Sequence, residues 1–437
     1  MRSLADSIKK YIDQNPIRFH MPGHKGIGTL EQYDLTELPG LDNLYNSRGC
    51  IKELENNIGN LYGCRSIIST GGATLCIQTM MASTLNPGNK IIVDRHIHIS
   101  VLNTMILLDL HPVWIYRASS ARSPFGAVIT KEQLAATIKA NPDARAVFVT
   151  GQDYYGFSPD LKALSGVCKQ NKLPLLVDNA HGAYLKFLNP SAHPIELGAD
   201  MCCDSWHKVF PTFTGAAVLH MQEQFDPTFA KQRMRLFGSS SPSYLVMNSI
   251  DNCLDYIKTQ FAPNFKDFIN RLANLKEELK ALGFQLLNED ENSFLKLTIS
   301  GVHRGVTGFE LQEKLAKQRV YVEYADHNCV ILLVGTQNAK TEFAQLINIL
   351  KTASSRPAIP MSTYSLQSPL IQKKSLPAAA WGRYKQIALK DCNGLVAGLQ
   401  ELKCPPCVPL IMPGEVIDSE VINVLKLCRY HSINCVG

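Results

Sequence analysis

The residues with the most chemical potential lie in Ser205-Trp-His207-Lys208-Val-Phe-Pro, ahead of a small-residue run, Thr214-Gly-Ala-Ala-Val218, that reads as a strand. Lysine is costly to bury unless its charge is paired or shed. One chemistry wants such a lysine: condensation of its amine with the aldehyde of pyridoxal phosphate (PLP). A surface lysine in a loop is the alternative. Thirty residues upstream, Leu175-Leu-Val-Asp178 is an apolar run ending in a carboxylate, followed by Asn179-Ala180-His181-Gly182. An acid at the carboxyl end of a buried strand lies where open α/β sheets bind ligands. It can keep a pyridinium nitrogen protonated, which makes that ring an electron sink.

A phosphate needs its own cradle. Ile67-Ile-Ser-Thr70-Gly71-Gly72-Ala73-Thr74 leads from a short strand into a helix predicted over 75–85. Glycines free backbone N–H groups there, and the helix N-terminus adds partial positive charge. A plain turn before a helix is the alternative. His96 and His98 in Arg95-His-Ile-His-Ile-Ser100 suggest metal ligands. No carboxylate or cysteine cluster accompanies them, so no metal is expected.

Several stretches resemble the Orn/Lys/Arg decarboxylase major-domain family of fold type I PLP enzymes. They are Phe19-His-Met-Pro-Gly-His-Lys25-Gly, Asp178-Asn-Ala-His181-Gly-Ala, Ser205-Trp-His207-Lys208, Ser239-Ser240-Ser-Pro-Ser-Tyr244 and Pro405-Pro-Cys-Val-Pro-Leu-Ile-Met-Pro-Gly-Glu415. They occur in order along nearly the whole chain. The resemblance implies an aspartate aminotransferase-like large domain with a mostly parallel sheet, a smaller C-terminal α/β domain and an extension. It implies pyridoxal 5'-phosphate as cofactor, held by Lys208, with Asp178 at the pyridine nitrogen, His98 stacked on the ring and Ala180 on the opposite face. Gly71, Gly72, Ala73, Thr74 and Ser205 would cradle the phosphate, with His181 and His207 close by. Ser240 would reach the partner subunit's phosphate, giving a homo-oligomer with sites at the interface. Lys208 or His207 would return the proton at the α-carbon. Asp42, Asp153 and Glu415 lie in stretches that the family places near the cleft, and a cationic substrate side chain calls for such acids. The implied activity is decarboxylation of arginine, ornithine or lysine to an amine used in polyamine biosynthesis. An aminotransferase, aldolase or other PLP lyase is the alternative within the fold. A catalytically weakened relative is the other, because the family usually carries hydroxyl residues where Gly72 and Ala73 stand.

The elements that must position these groups follow from pattern. Strands alternating with helices over 65–220 imply a parallel sheet covered on both faces. A helix over 50–62 places Ile51, Leu54, Ile58 and Leu61 on one face. The expected divisions are an N-terminal segment (1–40), a PLP-binding large domain (41–261), a small α/β domain (262–353), a Ser/Pro/Lys-rich linker (354–377) and a C-terminal extension (378–437). With 437 residues and a 45% hydrophobic fraction, core material is ample. The net charge of +6 comes without a dense Lys/Arg block, which argues against nucleic acid. No apolar run approaches a membrane span, and the amino terminus lacks a signal peptide's apolar core, so a cytoplasmic location is expected. The 13 cysteines are an odd total scattered through apolar segments, as expected of buried thiols in a reducing compartment. Cys404-Pro-Pro-Cys407 has C-x-x-C spacing but no second pair.

Overall fold

The computed structural model describes residues 3–118, 120, 123–289, 293–364, 366, 369–401 and 408–436. Seven strands form its large sheet: β1 (Arg65–Ser69), β2 (Lys90–Asp94), β3 (His111–Ile115), β4 (Ala146–Thr150), β5 (Leu175–Asp178), β6 (Met201–Asp204) and β7 (Ala217–Met221). Their order is β1-β7-β6-β5-β4-β2-β3. The pairs β4–β5, β5–β6 and β2–β3 are parallel, and β2, β4, β5 and β6 are short, mostly buried runs, whereas β3 at the sheet edge is only partly buried. The sheet is mostly parallel, as expected, and strand β7 is the exception, running antiparallel to both β1 and β6. Residues 205–216 explain this, because they hold only a short 3₁₀ turn, Trp206–Lys208, and no crossover helix. The strand expected at 214–218 accordingly begins later, at Ala217.

The chain divides into two compact units, Met1–Asn86 with Arg145–Gly151 and Cys168–Pro263, and Pro87–Ala144 with Gln152–Val167 and Asn264–Gly437. Each unit is built from separate stretches of the chain. In the first unit, helix Cys50–Tyr62 buries Ile51, Leu54 and Ile58, with Tyr62 fully buried beside them. It stops at Gly63, whose φ of 73° suits a residue without a β-carbon. Helix Leu4–Asp13 is capped by Ser3 and buries Leu4 and Ile8. Asp251 accepts the Ala5 N–H at 2.8 Å, tying that helix to helix Tyr244–Tyr256.

The second unit carries a four-stranded antiparallel sheet of β8 (Gln285–Leu286), β9 (Lys296–Ser300), β10 (Tyr324–Ala325) and β11 (Cys329–Leu333), in the order β10-β11-β9-β8. Helices Gly308–Lys317 and Lys340–Lys351 belong to the same unit. The pair β12 (Tyr384–Ala388) and β13 (Ser432–Val436) lies in the C-terminal section. Part of the expected linker is packed: Tyr364 is 3% exposed, and its N–H donates to the Pro124 carbonyl at 2.7 Å. Its polar neighbours in sequence conceal an aromatic whose ring packs against Phe125, with centroids 5.2 Å apart. Cys404 and Cys407 lie outside the described residues. The other 11 cysteines are free thiols, nearly all buried. Among the described residues, no helix is long and apolar enough to cross a membrane.

Candidate active site

In the first unit, β5 and β6 are neighbouring parallel strands, so their carboxyl ends lie at the same edge of the sheet. Asp178 ends β5. Its carboxylate accepts the Ala180 N–H at 3.0 Å and a long contact of 3.7 Å from the Cys203 thiol. Lys208 follows β6 in the 3₁₀ turn and is exposed, with Nζ 3.1 Å from His181 Nε2. Asp178, Ala180, His181 and Lys208 therefore gather at the ends of two adjacent strands. His207 is half-buried, and its Nδ1 lies 3.1 Å from the Ala216 carbonyl. A carbonyl only accepts, so Nδ1 carries a proton. Burial pushes the His207 imidazole below its ordinary pKa, favouring the neutral ring with a bare Nε2.

The phosphate candidate lies on the far side of β7. The Ser69 hydroxyl accepts the Gly71 N–H at 3.1 Å, and the Gly72 N–H donates to the Gly215 carbonyl at 2.8 Å. Gly72 has φ 70°, and a β-carbon on Gly215 would stand 2.8 Å from the Thr70 carbonyl oxygen, so this approach needs both glycines. Helix Gly72–Thr84 begins there without a side-chain cap. The N–H groups of Ala73 and Thr74 in its first turn have no acceptor within the helix. Gly71 and Thr74 are exposed, while Ala73 is 9% exposed. Ser205 is 1% exposed, its hydroxyl enclosed by the protein. These residues fit PLP in kind: an accessible amine, a strand-end carboxylate and an uncapped helix N-terminus are the groups that its aldehyde, pyridine and phosphate ends would need.

The remaining expected residues have other surroundings. His98, in the second unit, caps helix Ile99–Leu107, with Nδ1 3.2 Å from the Ser100 N–H and 2.7 Å from its hydroxyl. Ser240 is exposed; nearby, Ser243 caps helix Tyr244–Tyr256. The three acids expected to meet a cationic substrate are each engaged internally. Asp42 accepts backbone N–H groups of Asn43, Arg48, Gly49, Ile51 and Lys52, capping helix Cys50–Tyr62 from outside it. Burial would raise its carboxyl, but these donors hold it below the ordinary value. Asp153 is 1% exposed and pairs with Arg117 Nη1 at 2.8 Å, while its other oxygen accepts the Phe157 N–H at 3.0 Å. Arg117 also grips Asp94 with two bonds of 3.1 and 2.7 Å. Burial and Arg117 push His96 down to about 4, so its 4.0 Å approach to Asp153 is not an ion pair at neutral pH. Glu415 is 1% exposed and holds Arg95 through two bonds of 2.7 Å. The Arg95 guanidinium also faces Trp114 and Tyr116, 5.2 and 5.3 Å from their ring centroids.

Sequence reasoning missed a third polar cluster. Asp204, the last residue of β6, has Oδ2 3.1 Å from His193 Nε2 and 3.2 Å from His220 Nε2, and all three residues are fully buried. Its Oδ1 accepts from Asn179 Nδ2 at 2.7 Å, so the cluster braces the residue next to Asp178. The available signal was an aspartate ending an otherwise apolar strand, which needs a partner when buried.

The chain is similar to known proteins in sequence and in fold. The Orn/Lys/Arg decarboxylase major-domain family matches residues 3–301. An arginine decarboxylase from Halalkalibacterium halodurans is 26% identical over 97% of this chain and 92% of its own. The constitutive lysine decarboxylase of Escherichia coli is 23% identical over 55% of this chain and 38% of its own. The fold is also that of the Francisella novicida lysine decarboxylase LdcF, with TM-score 0.84, 17% identity, and coverage of 99% of this chain and 81% of that one. The match spans more than half of the chain and includes the Asp178 and Lys208 stretches, so this protein belongs to the Orn/Lys/Arg decarboxylase family.

Proposed function

We propose that this protein is a PLP-dependent decarboxylase of basic amino acids, that arginine is its preferred substrate, and that it acts as a homo-oligomer. The observation that carries the reading is the placement of Asp178 and Lys208 at neighbouring strand ends, with His181 within hydrogen-bond distance of the lysine amine. Arginine is favoured because the arginine decarboxylase relative matches along nearly the full chain, whereas the lysine decarboxylase sequence matches little more than half.

Lys208 would hold the cofactor through its amine, Asp178 would keep the pyridine nitrogen protonated, and the N–H groups of Ala73 and Thr74 would receive the phosphate. When bound, PLP supplies an electron sink for the electron pair left at the α-carbon as carbon dioxide departs. A proton must then reach that carbon. His207 is poorly suited to deliver it, because its Nδ1–H is turned to the Ala216 carbonyl and its Nε2 is bare. Lys208 is the better donor, with His181 beside Nζ to pass it a replacement proton. The resemblance gives His98 the role of stacking on the cofactor ring and Ser240 that of completing a partner subunit's phosphate cup. The amine product would enter polyamine synthesis in the cytoplasm.

The test is to incubate purified protein with arginine, ornithine and lysine, and to measure carbon dioxide and the amine formed. Release of both, fastest from arginine, is expected. Pyridoxamine phosphate or an aldehyde product would support the aminotransferase or aldolase reading instead. Sedimentation of a fully active monomer would contradict the oligomer.

A further inference from the structure

We propose that His193, Asp204, His220 and Cys202 form a closed, structural site for a first-row divalent cation, zinc by preference, at the base of the loop that carries Lys208. The sheet register assembles the ligands. Ser66 on β1 pairs with His220 on β7, which pairs with Cys202 on β6, so these three side chains form one row on one face. Asp204 lies two residues beyond Cys202 and therefore points to the same side. His193 reaches that face from the segment before β6.

The donor atoms of His193, Asp204 and His220 all lie within 4.8 Å of one another. Bonds of about 2.0–2.1 Å around a tetrahedral ion separate its ligands by roughly 3.3–3.4 Å. The observed separations from Asp204 Oδ2 are 3.1 and 3.2 Å. The Cys202 sulfur lies 4.0 Å from His193 Nε2 but outside the set of mutually close donors, so a fourth bond requires its side chain to move toward the other ligands on binding.

Hydrogen bonding alone leaves this cluster incomplete. His193 Nε2 bonds to Asp204 at 3.1 Å, and His220 Nε2 lies 3.2 Å from the same oxygen but outside good hydrogen-bond geometry, while His193 Nδ1 has no hydrogen-bond partner. A buried nitrogen without a partner is destabilising, because its lost hydration is not replaced. A cation accepts the His220 lone pair and removes one of these defects.

The surrounding contacts suit metal ligands. His220 Nδ1 lies 2.9 Å from the Ser66 hydroxyl, and Asp204 Oδ1 accepts from Asn179 at 2.7 Å. Two imidazoles, a carboxylate and a thiolate select zinc over magnesium or calcium. Carboxylate and thiolate together balance the ion's charge, the thiol proton leaving to solvent on binding. Complete burial gives no open position for water, which makes the ion structural.

The experiment uses untagged, full-length holoprotein from zinc-supplemented and from cobalt-supplemented cultures. Elemental mass spectrometry should find about one zinc per chain. The cobalt form should show tetrahedral d–d absorption at wavelengths longer than the cofactor's. Asp204→Asn and His220→Gln should lose the metal, while His303→Gln, at an exposed site, should keep it. Should the cluster variants fail to fold, X-ray absorption at the zinc edge of the wild type decides. A first shell of two imidazoles, one carboxylate and one sulfur supports the site. A folded wild type with less than about a tenth of a zinc per chain, or zinc retained equally by Asp204→Asn and His220→Gln, overturns it in favour of a metal-free His–Asp–His network.

Discussion

Asp94 and Asp178 both end strands of the large sheet, yet their surroundings give them opposite uses. Asp94 ends β2, and its two oxygens take the Arg117 guanidinium while the His96 N–H adds a third bond at 3.1 Å. Asp178 ends β5, and among the described residues it has one backbone donor and a distant thiol, with no side-chain cation paired to it. A strand-end acid whose charge is already matched serves the fold. One left without an internal cation remains available to a cationic ligand, and a protonated pyridine is such a ligand. Asp204 falls on Asp94's side of this division because two imidazoles converge on it.

Mutations test whether the division holds. The largest effect is expected at the open site. Lys208→Ala should abolish turnover, and borohydride reduction should attach the cofactor to Lys208 in the wild type alone; a peptide map with the cofactor on another lysine would end this assignment. Asp178→Asn keeps the shape but removes the charge, and should slow turnover by on the order of a hundredfold or more while leaving the unfolding midpoint nearly unchanged. Near-normal activity in that variant would place Asp178 with the structural acids.

The sealed cluster should respond in stability instead. Arg117→Leu strands two buried carboxylates and should cost about 3–5 kcal/mol in urea unfolding. A loss below about 1 kcal/mol would mean that Asp94 and Asp153 are not held by this guanidinium. The smallest effect is expected from Asp153→Asn, since Asp94 still holds Arg117 with two bonds. A loss of about 1–3 kcal/mol is expected, with the ranking of arginine, ornithine and lysine unchanged. A changed ranking would restore Asp153 to the substrate pocket. The pH dependence gives this variant a sign. Burial alone raises the Asp153 carboxyl, but Arg117 and His96 more than offset that and hold it below its ordinary 3.8. A depressed folded value stabilises above the unfolded value and is lost as pH falls through the folded one. The stability gap between wild type and Asp153→Asn should therefore be full at neutral pH and close progressively below about pH 4.

The sequence by itself determined several of the elements and pointed to the candidate site. An apolar run ending in a carboxylate located β5 to the residue, and a period-3.6 face located helix Cys50–Tyr62, because these patterns are local. Asp178, Lys208 and the Gly71-Gly72 turn were legible for the same reason: each follows a strand within a few residues. What tertiary structure alone decided was the charge balance of every buried acid. Arg117 is 36 residues from Asp153, and Arg95 is 320 from Glu415, so no local pattern announces either pair. Asp42, Asp153 and Glu415 read as free acids in the chain and became a helix cap and two ion pairs in the fold. The reversal of β7, and with it the meeting of His220 with Asp204, was equally hidden. It depends on how the chain returns after Lys208, and strand direction is settled by that connection rather than by the composition of the strand.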